Sequence, residues 1–531
     1  MENKVVVPTK NRIADQAKKK AKKGILRVVF SRTALIAVLI LLQLAMFDGL
    51  LTFLKEYAVY VYGLTTAVQA GTIVFIMNER TSPEFSRTWM LLVMVMPVFG
   101  CFFYLYAKLE LGTRFIGKRL ESLKIETDPY LKQERGVLES LRASKPANAN
   151  LAHYLNQQIH FPTYRNTKAV YFRSGEEKFP ALLEQLERAE KFIFLEYFIV
   201  SPGYMWDSIL EILKRKAKQG VEVRFMYDGM CSISLLPYDY PRMIRTYGIQ
   251  CKMFSPIRPV LSTVQNNRDH RKICVIDGKV GFTGGINLGD EYINREERFG
   301  YWKDTAVMLE GKAVQSLTML FLQMWNVTER NPENYGRYLA AYDPAIRREL
   351  GFVTPYGDSP FDHEDVGGEV YCHILNHAKK YVHIMTPYLI LDRKMLDSLT
   401  LAAKSRIDVK IIMPSIPDKW YAFALAKTYY IELIQAGVKI YEFTPGFVHA
   451  KVFVSDDDTA TVGTINLDYR SLYLHFECGV FLYNNPVVRD VEKDFQDTLK
   501  RCFRISVADV KNLGLKMKLA GKVLRLIAPL M

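Results

Sequence analysis

A short pattern that occurs twice constrains this chain more than any other feature. The pattern is H-x-K-x4-D, and each copy is followed by a turn of small residues that ends in asparagine. A match of this length at the same internal spacing indicates a duplicated unit. Each copy supplies a histidine, a lysine and an amide, a set suited to holding a phosphate diester. The residues are His270, Lys272, Asp277 and Asn287 in the first copy and His449, Lys451, Asp456 and Asn466 in the second.

The sequence around the two copies predicts an α/β fold. Short apolar segments alternate with amphipathic segments of helical period, and the same order returns later in the chain. This alternation predicts two pseudo-symmetric halves, each a mixed sheet flanked by helices. The predicted halves are 167–330 and 366–505, and a linker at 331–365 joins them.

Each H-x-K segment is predicted to be a strand, over 270–276 and 449–454. Because side chains alternate along a strand, the histidine and the lysine at i and i+2 point to one face and can reach one ligand. Asp277 and Asp456 come at the strand ends beside turns. We therefore expect these two members of the motif to bind turn amides or a lysine rather than to donate protons. The glycine-rich turns that follow allow backbone N–H groups to approach an anion.

The N-terminal part of the chain is predicted to lie at a membrane. Residues 1–32 carry ten lysines and arginines against two acidic residues, which favours contact with anionic headgroups. Apolar runs at 33–54, 57–77 and 88–107 are each long enough to cross a hydrocarbon core of about 30 Å at about 1.5 Å per residue. These runs predict transmembrane helices over 33–107, preceded by a basic cytoplasmic tail and followed by a juxtamembrane linker at 108–166.

The sequence leaves two membrane arrangements open. Three full spans with the basic tail inside place the rest of the chain outside. Gln43 and Asp48 also allow the first run to be an interfacial or re-entrant piece, which returns the rest to the cytoplasm. The basic amphipathic tail at 506–531 either lies on the membrane surface or ends a soluble helix.

The net charge narrows the classes of partner, and the cysteine content narrows the kinds of structural site. A net charge of +15 favours nucleic acid, anionic lipid or a phosphorylated ligand. The seven scattered cysteines lack C-x-x-C pairs, which speaks against a disulfide framework or a zinc ribbon. His373 and His377 have a spacing that zinc could use, but without a third ligand they are interpreted as an exposed helix face.

These motifs resemble those of the phospholipase D superfamily, whose members carry two H-K-D motifs in a pseudo-symmetric α/β pair that meets at one site. The resemblance covers roughly residues 168–505. Within the superfamily the chain is most similar to the bacterial cardiolipin synthases, which add an N-terminal membrane segment. The segments that carry the likeness are 195–199, 302–304, 386–388 and 463–471, together with 78–83 in the membrane segment.

The resemblance implies a phosphatidyltransferase of the bacterial cell membrane. His270 would attack phosphorus to form a phosphohistidine, and His449 would protonate the leaving glycerol oxygen and then deprotonate the incoming hydroxyl. With phosphatidylglycerol as donor and acceptor, the products are cardiolipin and glycerol. No metal or other cofactor is expected, because charge on the phosphate oxygens would be neutralised by Lys272, Lys451, Asn287 and Asn466.

Three carboxylates are candidates for supporting roles. A histidine that attacks or carries protons needs its other ring nitrogen oriented. We expect Asp304 to orient His270 and Glu477 to orient His449, because each carboxylate closes its own half. Glu196 lies in an apolar strand. It is interpreted either as a residue that supports the site or as one partner of an internal salt bridge.

Two other functions stay open at this point. With water as acceptor the protein would be a membrane phospholipase D that releases phosphatidic acid. The twin motifs in a basic chain would also suit a nuclease or another phosphodiesterase that binds nucleic acid. The membrane runs speak against nucleic acid as the partner, and the intact motifs speak against an inactive scaffold. Isolated histidines, including His475, are given no role.

Overall fold

Two compact units make up the described part of the chain in this computed structural model. The structure describes residues 57–79, 82–109, 111–256, 266–331, 333–340, 350–362 and 364–530, with a few isolated positions before residue 57. The first unit precedes Leu111 and the second begins there. The basic tail at 1–32 and most of the apolar run at 33–54 lie outside the described residues, so both stay predictions.

The first unit contains one described helix that is long and apolar enough to cross a membrane. Helix α1 (Ala58–Met77) coincides with the second predicted run. Its segment Val59–Met77 has 19 residues and a mean hydropathy of 1.5. By length and composition, therefore, α1 is a candidate membrane span.

The third predicted span is wrong as a single helix. The run at 88–107 is divided between α2 (Pro83–Val95) and α3 (Pro97–Leu109). Pro97 has no N–H to continue the hydrogen-bond ladder of α2, but it suits the first turn of α3. Each helix has 13 residues, a length of about 20 Å that falls short of a hydrocarbon core of about 30 Å.

The segment predicted to be a juxtamembrane linker is largely helical, and from Leu111 onward it belongs to the second unit. Gln323 donates a hydrogen bond to Thr127 at 2.7 Å, and Lys145 forms an ion pair with Asp458 at 3.0 Å. These contacts make the segment part of the globular structure. Its helices are α4 (Leu111–Thr127), α5 (Val137–Ser144) and α6 (Pro146–Gln157).

The first half contains a seven-stranded mixed sheet. Strand β2 (Phe192–Tyr197) is buried at every position, as expected for a strand whose two faces are both covered. The other strands of this half are β1 (Thr167–Phe172), β3 (Glu222–Asp228), β4 (Gln250–Phe254), β5 (Arg268–Asp269), β6 (Lys272–Ile276), β7 (Val280–Gly284), β8 (Tyr301–Lys303) and β9 (Ala306–Gly311). Its helices are α7 (Gly175–Glu187), α8 (Tyr204–Lys218), α9 (Cys231–Ser234), α10 (Tyr240–Arg245) and α11 (Val314–Asn326).

The second half repeats this construction. Its strands are β10 (Phe352–Asp358), β11 (Tyr381–Met385), β12 (Asp408–Pro414), β13 (Lys439–Phe443), β14 (Gly446–Val448), β15 (Val452–Ser455), β16 (Thr459–Gly463), β17 (His475–Tyr483) and β18 (Cys502–Arg504). Its helices are α12 (Val366–His377), α13 (Arg393–Lys404), α14 (Trp420–Ala436), α15 (Tyr469–Tyr473) and α16 (Val487–Leu499). The short helix α17 (Val507–Lys511) and helix α18 (Leu515–Ile527) end the described chain.

The strand orders of the two sheets confirm the predicted duplication. The first sheet runs β1-β9-β7-β6-β2-β3-β4 and the second β10-β17-β16-β15-β11-β12-β13-β18. The first seven positions correspond one to one, with the same parallel and antiparallel neighbours. Strand β10, the counterpart of β1, lies in the segment predicted to be a linker, so the second half begins before residue 366. Pro355 within β10 weakened the strand signal, but an edge strand tolerates proline.

Two short parallel ladders join the halves. Strand β8 of the first half pairs with β14 of the second, with Lys303 opposite Val448. Strand β5 of the first half pairs with β17 of the second, with Asp269 opposite Phe476. The residues that follow these pairs in the chain are therefore brought side by side across the junction.

The aspartate of each motif ties its strand to the neighbouring chain, as expected. Asp277 accepts hydrogen bonds from the backbone N–H groups of Glu190, Lys191 and Phe192 at 2.7–2.8 Å. Asp456 binds three successive backbone N–H groups, those of residues 379–381, in the same way. Both aspartates lie at the opposite end of the motif from the histidine. They hold the motif strand in place rather than meeting a substrate.

The Asp277 contacts predict a measurable effect on stability. In Asp277→Ala three backbone donors lose a charged acceptor, and a hydrogen bond to a charged group contributes about 1.5–3 kcal/mol. We expect the free energy of unfolding to fall by at least about 2 kcal/mol, measured by denaturant titration of the detergent-solubilised protein. Asp239→Ala is the matched control, since Asp239 is exposed and makes no side-chain cap bond. Equal unfolding midpoints for the two variants would contradict the assignment.

Candidate active site

Each motif histidine is hydrogen-bonded to a buried carboxylate of the opposite half. His270 Nδ1 lies 2.9 and 3.0 Å from the two carboxylate oxygens of Glu477. His449 Nδ1 lies 2.6 Å from Asp304 Oδ2. Both carboxylates are fully buried. The expected pairing, Asp304 with His270 and Glu477 with His449, is wrong, because the two partners are exchanged between the halves.

The ladders between the halves explain the exchange. His270 follows β5 and donates its backbone N–H to Phe476 O at 2.9 Å, so the next residue, Glu477, lies beside the imidazole. His449 follows β14 and donates its backbone N–H to Lys303 O at 2.7 Å, which places Asp304 beside that imidazole. The paired residues are 207 and 145 positions apart in the chain, and a single sequence carries no signal for pairing over such distances.

The hydrogen bonds define which ring nitrogen is available for chemistry. An ionised carboxylate only accepts hydrogen bonds, so Nδ1 of each imidazole carries the hydrogen and Nε2 keeps its lone pair when the ring is neutral. Burial and the charges of Lys272 and Lys451 lower the pKa of His270 well below its usual value. Burial and Lys451 lower the pKa of His449 to about 4, while Asp304 acts in the opposite direction. Both rings are therefore neutral nucleophiles or bases in the free protein.

The two motif lysines are buried within the same site. Lys272 Nζ donates to His270 O and Lys451 Nζ donates to His449 O, so each ammonium is fixed beside its own histidine. Burial lowers the pKa of Lys272 to about 7 and that of Lys451 to about 8. The charge of Lys451 also lowers the pKa of Lys272, which means that the motifs of both halves share one electrostatic environment. A phosphodiester anion would relieve this repulsion.

The two asparagines occupy equivalent positions. Asn287 Nδ2 donates to Tyr292 OH at 2.8 Å, and Asn466 Nδ2 donates to Ser471 Oγ at 3.0 Å. Asn287 Oδ1 also accepts from Ile199 N at 3.0 Å. Each side chain is thus fixed by an acceptor five residues further along the chain. Their expected contact with phosphate remains a prediction.

Glu196 belongs to an internal ion-pair network. It contacts the guanidinium of Arg271, which also binds Asp269 at 3.1 Å, and all three side chains are buried. Of the two interpretations from the sequence, the salt bridge describes the structure. Arg271 lies between His270 and Lys272, just before the motif strand. The strands predicted over 270–276 and 449–454 begin later than expected, at Lys272 and Val452.

Two residues near the site, one partly buried and one buried, were missed in the sequence. His475 Nδ1 lies 3.7 Å from Glu477 Oε1, and its ring centroid is 5.5 Å from that of His270. Its position two residues before Glu477 on one strand was the available signal, since i and i+2 share a face. Lys178 is buried on α7 and donates to Ile286 O at 3.3 Å. Burial lowers the pKa of Lys178 to about 8.

Three side chains of the site have a geometry that could hold a metal ion. The ligand atoms of His270, His475 and Glu477 lie within 4.8 Å of one another, the one such group in the described part of the chain. The positive charges of Lys272 and Lys451, which lower the pKa of His270, oppose a cation at the same place. The site is better suited to an anion.

A match to a family model shows which family the chain belongs to. Residues 182–325 and 371–499 match the model described as "Cardiolipin synthase, PLD-like domain". The chain belongs to the cardiolipin synthase family. The matched segments contain both motif histidines and both of their carboxylate partners.

Relatives and a solved structure agree with this family. The chain is 35% identical over 477 residues to cardiolipin synthase 2 of Bacillus anthracis, which covers 88% of this chain and 90% of the relative. It is 50% identical over 461 residues to an uncharacterized protein of Streptococcus mutans, covering 87% of this chain and all of the relative. The crystal structure of phosphatidylserine synthase from Haemophilus influenzae covers 72% of this chain and 98% of its own, with a TM-score of 0.54 and 17% identity. That likeness supports the fold.

The lysine pKa values predict how anion binding depends on pH. Binding at full strength requires both lysines to be charged, and the pKa values are about 7 for Lys272 and about 8 for Lys451. We expect KM for an anionic phospholipid to rise above about pH 7, where Lys272 loses its proton, and more steeply above about pH 8, where Lys451 does, by up to about tenfold per pH unit for each lysine. Lys272→Arg keeps its charge at alkaline pH and should leave a shallower rise. A KM that stays constant from pH 6.5 to 9.5 would contradict the prediction.

His475 generates a separate prediction about the pH profile. Burial is the main cause that lowers the pKa of His475 to about 4, and the neighbouring His270 lowers it further. Because coupling between two charges is mutual, protonated His475 disfavours protonation of His270. In His475→Asn this repulsion is lost, so the pKa of His270 rises and the acid limb of kcat/KM moves to higher pH. His153→Asn, an exposed histidine of α6, is the control and should leave the limb unchanged. A lower kcat/KM whose acid limb stays at the same pH would indicate that His475 only packs against the site.

Proposed function

We propose that the protein transfers a phosphatidyl group from one phosphatidylglycerol to the hydroxyl of a second, which gives cardiolipin and glycerol. The observation that carries this proposal is the pair of crossed hydrogen bonds, His270 with Glu477 and His449 with Asp304. They leave two Nε2 atoms free to act on one phosphodiester. Membership of the cardiolipin synthase family supplies the class of substrate.

The first half-reaction divides the roles of the two histidines. Neutral His270 attacks phosphorus through Nε2, the bond from phosphorus to the glycerol oxygen breaks, and protonated His449 gives its proton to that oxygen. In the free protein the pKa of His449 is about 4, because burial and Lys451 outweigh the opposite effect of Asp304. The substrate phosphate acts in the same direction as Asp304, so His449 takes up a proton from solvent as the substrate binds. Glycerol leaves, and the phosphatidyl group stays on His270.

The second half-reaction reverses the proton transfer. His449, now neutral, takes the proton from the hydroxyl of a second phosphatidylglycerol, and the hydroxyl oxygen attacks phosphorus. The bond between phosphorus and Nε2 breaks, which releases cardiolipin and restores His270. Lys272 and Lys451 stabilise the negative charge that builds on the phosphate oxygens in both steps, with Asn287 and Asn466 as further hydrogen-bond donors.

The proposed location is the bacterial cell membrane. The support comes from the apolar helix α1 and from the anionic, membrane-bound nature of the proposed substrates. Together with the predicted run at 33–54, helix α1 would give a multi-pass anchor. Phosphatidylglycerol and other anionic lipids are the proposed partners, and the basic net charge of the chain suits them.

One assay tests the proposed reaction. Purified, detergent-solubilised protein incubated with phosphatidylglycerol alone should form cardiolipin and glycerol, separated by thin-layer chromatography. His270→Asn and His449→Asn should each lower the rate by about 10²–10⁴-fold, whereas His153→Asn should not. Phosphatidic acid as the product would indicate a phospholipase instead. No turnover of lipid, with cleavage of DNA, would indicate a nuclease.

The division of roles is tested by trapping the covalent intermediate. With phosphatidylglycerol labelled in the phosphatidyl group, we expect a labelled protein adduct that His270→Asn abolishes. His449→Asn should slow the formation of the adduct without moving it to another residue. An adduct that persists in His270→Asn and disappears in His449→Asn would reverse the assignment.

A further inference from the structure

The C-terminal helix α18 has an inner apolar face that fixes it to the second unit. Leu513, Met517, Ala520, Leu524 and Ala528 recur every three or four residues, and all are partly or fully buried. At Gly521 a Cβ atom would lie 2.5 Å from Ala424 O and 2.7 Å from Thr428 Cγ2 of α14, so the two helices touch there. The helix is therefore docked along α14 and cannot turn its inner face outward.

A second apolar stripe runs along the outside of the same helix. Its members recur every three or four residues, which places them on one face, rotated away from the inner one. Leu515 is 80% exposed and Leu519 is 61% exposed. Single exposed apolar residues are common, but a continuous stripe marks a surface that meets another apolar phase. The outer stripe consists of Leu515, Leu519, Val523, Ile527 and Leu530.

The charged residues of α18 beside the outer stripe are all cations, and Glu432 of α14 lies 3.8 Å from Arg525. Lys516, Lys518 and Lys522 are exposed beside it, and Arg525 stacks 4.4 Å from the ring centroid of Tyr429. Residues 510–531 contain no aspartate or glutamate. Two copies of this helix packed stripe to stripe would set lysines against lysines with no acidic partner on the helix. The charge pattern thus opposes self-association and complements an anionic surface.

We propose that the outer stripe of α18 lies in the interfacial layer of an anionic bilayer, with Lys516, Lys518 and Lys522 at the lipid headgroups. An apolar face bordered by lysines is the composition that such helices require. Because the inner face of α18 is docked on α14, contact of the outer stripe with the bilayer would hold the whole second unit there and not only a loose tail. This contact is independent of the proposed chemistry, but it would keep the site at the surface that supplies its lipid substrates.

The test places a fluorescent probe on the stripe of the full-length protein. Six of the seven native cysteines are buried and Cys502 is partly buried, so a cysteine introduced at an exposed position labels selectively. Leu519→Cys carries an environment-sensitive NBD probe. Leu401→Cys on α13 is the matched control, because Leu401 is also 61% exposed. Both proteins are reconstituted into vesicles of equal parts phosphatidylglycerol and phosphatidylcholine.

We expect the probe at position 519 to be blue-shifted and to be quenched by doxyl-labelled lipid several-fold more strongly than the probe at 401. Lys516→Gln with Lys522→Gln, or vesicles of phosphatidylcholine alone, should reduce this difference. Equal quenching at the two positions would overturn the proposal. Energy transfer between labelled copies without quenching by lipid would also overturn it, in favour of a second copy on the stripe. The readout needs no turnover, so it stands whether or not cardiolipin is formed.

Discussion

The hydrogen bond between each motif histidine and a carboxylate from the opposite half is the interaction on which the site depends. A fully buried carboxylate is costly unless charge and hydrogen bonds compensate for the lost water. Burial alone would raise the pKa of Asp304, yet His449 and Lys451 hold it below its usual value. The lysines are held in turn by carbonyl oxygens of their own motifs. Carboxylates, imidazoles and lysines from both halves therefore form a single charge network.

This network makes the two halves dependent on each other. The ladders that align them are short, three residue pairs between β8 and β14 and two between β5 and β17. Each ladder ends directly before a pair of the site, Asp304 with His449 or Glu477 with His270. A half taken alone would lack the carboxylate partner for its histidine. The two duplicated halves therefore form one shared site, to which both must contribute, rather than two separate sites.

Apolar sequence has different structural outcomes in different parts of the chain. The run at 57–77 forms one long helix, whereas the run at 88–107 is divided at Pro97 because proline cannot continue the hydrogen-bond ladder. In α18 the apolar residues fall on two faces, one docked on α14 and one exposed. Backbone chemistry and packing separate a candidate span, a pair of short helices and a docked surface helix.

The sequence by itself determined the α/β halves, the duplicated motif and the structural role of Asp277 and Asp456. All of these follow from local periodicity and from the chemistry of turns, which lie within a few residues of each other. The tertiary structure alone decided which carboxylate serves which histidine, that Glu196 pairs with Arg271, and that His475 stands beside His270. These relations depend on the register between strands that are far apart in the chain, and a one-residue change in that register would redirect every side chain to the other face.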